Sequence, residues 1–400
     1  LPRFINETGA LDNKKILLVR LSALGDVVQT LSALAYLRAR TPQATVGWLV
    51  DARFASLLVA HPDITHLHTV PWRHWQRMFL HPWRWPALLR EAWRLRQEIV
   101  AVGYDVGVDL QGLFKSALLL WWSGLRQRVG FAHQRESSQW FYTRRAVSRA
   151  QYFDPALPHI GHMNRLVDVA VLDGDEKILE ALPGDSAPLL LPPRRLAIPE
   201  ANQEAVHRVC RRHFGQAPGD AGFRLALLSP GTAWASKHWP VGHWQQLALR
   251  LTAPEAGYHI VILGTSAEAP LAEEIAAGLP PDVRARCLCL AGQTSIEELL
   301  AWLPDADVFI GPDSAPLHMA ALMKTPRIIG LYGPTSSTRT QPLGDQMAAV
   351  VALEAAPGLP CQPCHARRCH LLPASQPGPA PCLAAVSVDA VLGALCLQEH

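Results

Sequence analysis

Residues 306–335 read ADVFIGPDSAPLHMAALMKTPRIIGLYGPT. Asp307-Val308-Phe309-Ile310 is short and mostly apolar, as expected of a strand covered on both faces. Gly311-Pro312-Asp313-Ser314 interrupts it and offers capping oxygens to a helix that begins near Ala315-Pro316 and carries Leu317, His318, Ala320 and Ala321. Residues 327–332 form the next strand, closed by Gly333-Pro334. A strand that ends in small polar residues at a helix N-terminus presents free N–H groups and the positive end of the helix dipole, both of which favour a phosphate. The segment predicts an α/β protein that handles a phosphorylated ligand.

The same alternation recurs on the N-terminal side. Residues 15–20 (KILLVR) form a strand, 21–26 a turn and 27–40 a helix; 46–50 and 106–110 are further strands, and 113–122 is helical. A Pro-rich stretch without periodicity, 183–199, marks a linker. A second series follows, with strands at 224–229, 259–263 and 287–290 and helices at 243–251, 268–278 and 295–303; Ser295 and Glu298 make a capping box. Alternation of this kind predicts parallel sheets with helices on both faces. The expected organisation is α/β with two Rossmann-like domains, 1–190 and 191–354, facing a cleft that holds the ligand. A Cys/Pro-rich tail with a final helix, 355–400, completes it.

Composition narrows the class. A chain of 400 residues and 43.9 kDa suffices for two cores. A net charge of +3 gives no ground for a nucleic-acid partner. No run of about 18 uncharged apolar residues occurs, and Lys14-Lys15 leads straight into a strand without a leader pattern. The expected location is the cytoplasm. Only six lysines occur, at 14, 15, 115, 177, 237 and 324, so Lys237 stands out inside a polar motif. Of eight cysteines, Cys361, Cys364, Cys369 and Cys382 form C-x2-C-x4-C-x12-C, open to a metal, to disulfides or to free thiols.

Several residues have the chemistry of a site. Asp26 follows a strand at the start of a helix, where a carboxylate either caps or serves as a general base. Thr232 and Lys237, in the loop after strand 224–229, offer a hydroxyl and a flexible cation to phosphate oxygens. Glu268, just past Gly264, can accept from a ribose. Between Val70 and Arg96, five tryptophans alternate with six arginines, Arg73 and Arg77 among them. That mixture suits a membrane surface, an anionic lipid or nucleic acid, or simply a helix with a Trp core face. Lys115 and the run Gln134-Arg135-Glu136-Ser137 add polar groups suited to an acidic acceptor. His159, His162 and Asp168 match no ordinary metal spacing.

Four segments, taken together and in order, resemble the lipopolysaccharide heptosyltransferases of the ADP-heptose family. They are VRLSALGDVVQTLSAL (19–34), YDVGVDLQGLFKSALL (104–119), PGTAWASKHWPVGHW (230–244) and the opening stretch. The second segment and the loop with Arg73, Trp75 and Arg77 are most similar to heptosyltransferase I. Two features depart from that branch. Ala233 stands where a second hydroxyl is common, and the cysteine-rich tail is more like heptosyltransferase II and relatives that modify proteins.

The resemblance implies a GT-B architecture and an inverting transfer, with no metal or other cofactor required, of heptose from ADP-L-glycero-D-manno-heptose. The implied acceptor is the Kdo of lipid A, at the cytoplasmic face of the inner membrane. Alternatives are a heptosylated core or a protein as acceptor, or a nucleotide-sugar- or lipid-binding module without turnover. By resemblance Asp26 is the base, Thr232 and Lys237 contact the donor phosphates, and Glu268 the ribose. Asp313 matches a residue that holds the heptose hydroxyls, with Ser314, Ala315 and His318 at the phosphate turn. Ser22, Arg73, Arg77, Lys115, Arg135 and Glu136 fall where acceptor contacts are expected.

Overall fold

The computed structural model describes residues 13–133, 136–152, 154, 157–171, 190–345, 348–354, 359–373 and 378–396. The chain divides into two compact units, Leu1–Arg194 and Arg195–His400. Each is built on one six-stranded, all-parallel sheet, in the α/β class the alternation predicts.

In the first unit the strands are β1 (Lys15–Val19), β2 (Thr45–Asp51), β3 (His66–Val70), β4 (Val106–Asp109), β5 (Gln127–Phe131) and β6 (Arg144–Ala146), in the order β3-β2-β1-β4-β5-β6. The second unit has β7 (Arg224–Leu228), β8 (Tyr258–Ile262), β9 (Cys287–Cys289), β10 (Val308–Pro312), β11 (Arg327–Tyr332) and β12 (Ala349–Glu354), in the order β12-β11-β10-β7-β8-β9. Both are the doubly wound order. The winding reverses between β1 and β4 in one sheet and between β7 and β10 in the other, and ligands of such sheets bind at that reversal, beyond the carboxyl ends of the strands. Register fixes what lies there. Val19 pairs with Asp109 at the first reversal, and Leu228 with Ile310 at the second.

Burial on both faces explains the unbroken apolar runs that mark these central strands. Ile16, Leu17, Leu18 and Val19 of β1 are buried, as are Leu225 to Leu228 of β7 and Val308, Phe309 and Ile310 of β10. One boundary differs from the sequence reading, because β10 continues through Gly311 and Pro312. On one side Gly311 and Pro312 still pair with Gly330 and Leu331 of β11. On the other, β7 pairing has ended at Ile310, so the N–H that Pro312 lacks has no strand partner to lose.

The tail is a structural part of the second unit. Cys382, Leu383, Val386, Val388 and Val391 are buried in the same core as Trp239, Trp244, Ile260 and Ile329. Trp239 Nε1 donates to the Val386 carbonyl at 2.8 Å. A Cβ on Gly333, just after β11, would come within 1.8 Å of Leu383 Cδ2, so only glycine admits that close approach.

Candidate active site

At the reversal in the first unit, Arg20 directly follows β1 and Asp109 ends β4. Asp109 is fully buried and accepts four hydrogen bonds: from the Gln111 and Gly112 N–H groups, both at 2.9 Å, from Ser116 Oγ at 2.8 Å and from Tyr142 Oη at 2.7 Å. Burial pushes its pKa up, and those four donors oppose the shift. The knot fixes the loop that carries Gln111 and launches helix Phe114–Trp122. Gln111 then reaches across to the turn after β1. Its Oε1 accepts from the Leu21 N–H at 2.8 Å, and its Nε2 donates to Ser22 Oγ at 3.3 Å.

Asp26 lies in the first turn of helix Leu24–Arg40, where it accepts the Ala23 N–H at 3.2 Å. It is therefore a capping residue, and it is more than that. Arg20 Nη2 sits 2.7 Å from Asp26 Oδ2; the arginine side chain is 5% exposed and the aspartate 45%. Arg20 also donates to the Leu110 carbonyl, which ties both strands of the reversal to one carboxylate. Burial raises the Asp26 pKa, but Arg20, His159 and the Ala23 N–H outweigh it and hold the group below the usual carboxylate range. The result is a carboxylate that is ionised and still open to a hydroxyl.

Lys115 Nζ donates to Ser22 Oγ at 2.8 Å and lies 5.7 Å over the Trp72 ring. Burial lowers its pKa, partly offset by Asp51 and Glu136. Glu136 Oε2 accepts the Phe114 N–H at 3.0 Å. Ser22, Lys115 and Glu136 are thus brought together. Arg73 and Arg77 extend from the helix that Trp72 begins, both exposed, and Arg77 Nε donates to the Arg73 carbonyl at 3.4 Å. Arg135 lies outside the described residues.

At the second unit's reversal, the loops after β7 and β10 meet. Lys237 Nζ donates to Asp313 Oδ2 at 2.7 Å and to the Asp313 carbonyl at 2.8 Å, and stands 4.8 Å over the Trp234 ring. His318 Nε2 is 3.5 Å from Asp313 Oδ1, and Thr340 Oγ1 donates to Oδ2 at 3.2 Å. Burial would raise the Asp313 pKa; His318 and Lys237 more than reverse this and hold it well below the carboxylate range. An ammonium has three donors. Two are taken by Asp313, which leaves one for a ligand.

Ser314 caps helix Ala315–Met323 from an extended conformation without a side-chain cap bond, and its Oγ is buried and unpartnered among the described residues. Ser229 Oγ, at the end of β7, and Thr335 Oγ1, after β11, are likewise buried without partners there. Buried hydroxyls ordinarily find partners, so three orphans at adjacent strand ends mark a place built for polar ligand atoms. Ala315, at the first turn of that helix, offers a backbone N–H.

Thr232 folds back on its own loop, its Oγ1 accepting the Trp234 N–H at 3.4 Å and its carbonyl meeting His238 Nε2 at 3.0 Å. Glu268 accepts the Thr265 N–H at 2.8 Å. A Cβ on Gly231 would fall 2.5 Å from Glu268 Cγ and Cδ, so the absent side chain is what lets Glu268 lie against this loop.

The four tail cysteines have free thiols. Cys382 is buried and has a raised pKa, first through burial and then through Cys364 and Cys369 nearby. No group of three or more His, Cys, Asp or Glu among the described residues is arranged to hold a metal, and no helix among them is long and apolar enough to cross a membrane.

Sequence reading missed Arg20, Asp109, Gln111 and Thr340. The first two carried a signal, since each is a charged residue at the end of a buried apolar strand. Gln111 and Thr340 carried none, because their partners come from distant turns.

Known proteins resemble this chain along most of its length. The profile of glycosyltransferase family 9 (heptosyltransferase) matches residues 92–160 and 191–374. Lipopolysaccharide heptosyltransferase 1 of Pseudomonas aeruginosa is 28% identical over 369 residues, 90% of this chain and 89% of its own. Lipopolysaccharide heptosyltransferase 2 of Escherichia coli is 26% identical over 342 residues, covering 84% and 87%. The solved structure of the E. coli ADP-heptose LPS heptosyltransferase II superposes with a TM-score of 0.70 at 23% identity, covering 95% of this chain and 97% of that one.

Proposed function

The chain belongs to glycosyltransferase family 9, the heptosyltransferases, and from that premise we propose that it moves heptose from ADP-heptose to the Kdo of lipid A in the lipopolysaccharide inner core. It is a glycosyltransferase. The observation that carries the finer reading is Asp26, held ionised by Arg20, in the same unit that fixes Lys115 on Ser22. A base beside a fixed cation suits a hydroxyl nucleophile on an acidic sugar.

In this reading residues 1–190 take the acceptor and 191–354 the donor. Asp26 removes the proton of the acceptor hydroxyl as its oxygen bonds to the anomeric carbon. The hydroxyl becomes acidic only as that bond forms, so an ionised carboxylate suffices to accept its proton. The bond from the anomeric carbon to the diphosphate oxygen breaks, and ADP leaves with the electron pair. The free donor of Lys237, with Ser314 and the N-terminus of its helix, stabilises charge growing on that diphosphate. Asp313 accepts from heptose hydroxyls, Thr232 donates to phosphate, and Glu268 accepts from the ribose. Sugar transfer through an oxocarbenium-like state also gains from a nearby carboxylate. Lys115, Arg73 and Arg77 suit the Kdo carboxylates and lipid phosphates, and the work is done at the cytoplasmic face of the inner membrane.

The test offers purified protein ADP-heptose with either Kdo-lipid A or an already heptosylated core. Transfer to Kdo-lipid A, abolished in Asp26→Asn, is expected. Transfer confined to the heptosylated core would overturn the acceptor assignment.

A further inference from the structure

Helices Trp72–Phe79 and Trp85–Val102, joined through the short turn Pro82–Arg84, form a hairpin on the first unit. Its inner face is accounted for. Trp75, Met78, Leu95 and Ile99 are buried in the unit's core, and Trp75 Nε1 donates to Glu91 Oε2 at 2.8 Å. Positions 88, 92, 95 and 99 make one apolar stripe at helical spacing, which is all that a helix needs to join a core. The longer helix has a second stripe at 85, 89 and 93, where Trp85, Leu89 and Trp93 are exposed. The turn adds Phe79, Leu80 and Trp83, exposed by 65%, 74% and 74%.

This apolar tip is a shaped one. Trp85 Nε1 donates to the Phe79 carbonyl at 3.0 Å, and the two rings stack with centroids 6.0 Å apart. The His81 and Trp83 rings stack at 4.8 Å. The net charge around it is positive. Residues 72–102 hold six arginines against two glutamates, an excess of four positive charges in a chain whose net charge is +3. Glu91 is already engaged by Trp75.

The geometry points to this hairpin as a docking wedge for an anionic membrane surface, with Phe79 and Leu80 among the acyl chains, Trp83 at the headgroup boundary and the arginines on lipid phosphates. Indole rings favour the headgroup boundary, and amphipathic elements bind there through buried apolar area plus attraction to anionic lipid. Protein–protein interfaces are also rich in aromatic residues and arginine; what favours an anionic surface here is the net excess of positive charge around the exposed rings. The inference deepens the proposed function by naming the surface that meets the acceptor's membrane, yet its test reads no sugar transfer and stands if the acceptor assignment fails.

Flotation of the full chain with vesicles of phosphatidylcholine, alone or mixed with phosphatidylglycerol, tests it. The protein should float with the mixed vesicles, in a salt-sensitive manner, and L80S/W83S should bind them at least about tenfold more weakly. Leu80→Ser alone asks the same question if the double variant loses its cooperative melt. Three results would each overturn the inference: no flotation of the wild type with anionic vesicles, flotation of the variants equal to wild type, or a wild-type dimer that L80S/W83S dissociates.

Discussion

Lys237 and Asp313, 76 residues apart, are joined twice, through the Asp313 carboxylate at 2.7 Å and its main-chain carbonyl at 2.8 Å. The pair locks the loop after β7 to the turn after β10. Removing one partner strands the other in a buried setting. Lys237→Met should therefore lower stability by about 3 kcal/mol, with Asp313→Asn in the same chain restoring part of it. Urea unfolding of the two single variants and the double variant measures the coupling; simple additivity would mean that the pair holds nothing.

Asp313 also predicts a pH dependence. Its pKa is depressed in the fold, so its contribution to stability is complete above the ordinary carboxylate value near about 4. It is lost as pH falls toward the folded value. The stability gap between wild type and Asp313→Asn should shrink on acidification below about pH 5 and be flat above it. Thermal melts across that range are the measurement.

Arg20 is expected to govern the protonation of Asp26. Asp26→Asn should reduce turnover by about a hundredfold or more. Arg20→Gln removes the cation that holds the carboxylate ionised, so the Asp26 pKa rises. The acid limb of the kcat/KM profile should then move to higher pH, which a purely structural arginine would not produce.

Lys115 is fixed on Ser22 by a 2.8 Å hydrogen bond. If it binds acceptor equally in ground and transition states, Lys115→Met should raise the acceptor KM by about tenfold and leave kcat and the donor KM unchanged. Steady-state kinetics with each substrate varied in turn separates these. A fall in kcat alone would place Lys115 in the chemical step instead.

Gly333→Ala should destabilise the second unit by about 1–3 kcal/mol, because the new methyl would meet Leu383 Cδ2. The glycine has no left-handed φ, so the cost is steric. Leu383→Ala in the same chain should relieve the clash while opening a cavity, so the double variant should lose less stability than the sum of the two single losses.

The fold was legible where burial dictates sequence. The runs ILLV, LALL and VFI gave the central strands, since two covered faces demand continuous apolar residues. The edge strands β6 and β12 were not legible, because RRA and AVVALE are partly exposed and lack a clean pattern. Asp26, Lys237 and Asp313 stood out as polar residues next to buried strands. The partners that set their chemistry did not. That two N–H groups of Lys237 are spent on Asp313 depends on strand order, and strand order is a property of the sheet, whereas Arg20 meets Asp26 across a single local turn. The final helix of the tail was legible, but that its apolar residues complete the core around Trp239 was not.

The burial of Leu383, Val388 and Val391 beneath the sheet of the second unit has a consequence for vectorial synthesis. The first unit has all its strands by Ala146 and can mature while translation continues. The second cannot close its core until residues 380–395 have emerged, so its apolar sheet face waits uncovered for the whole of that interval.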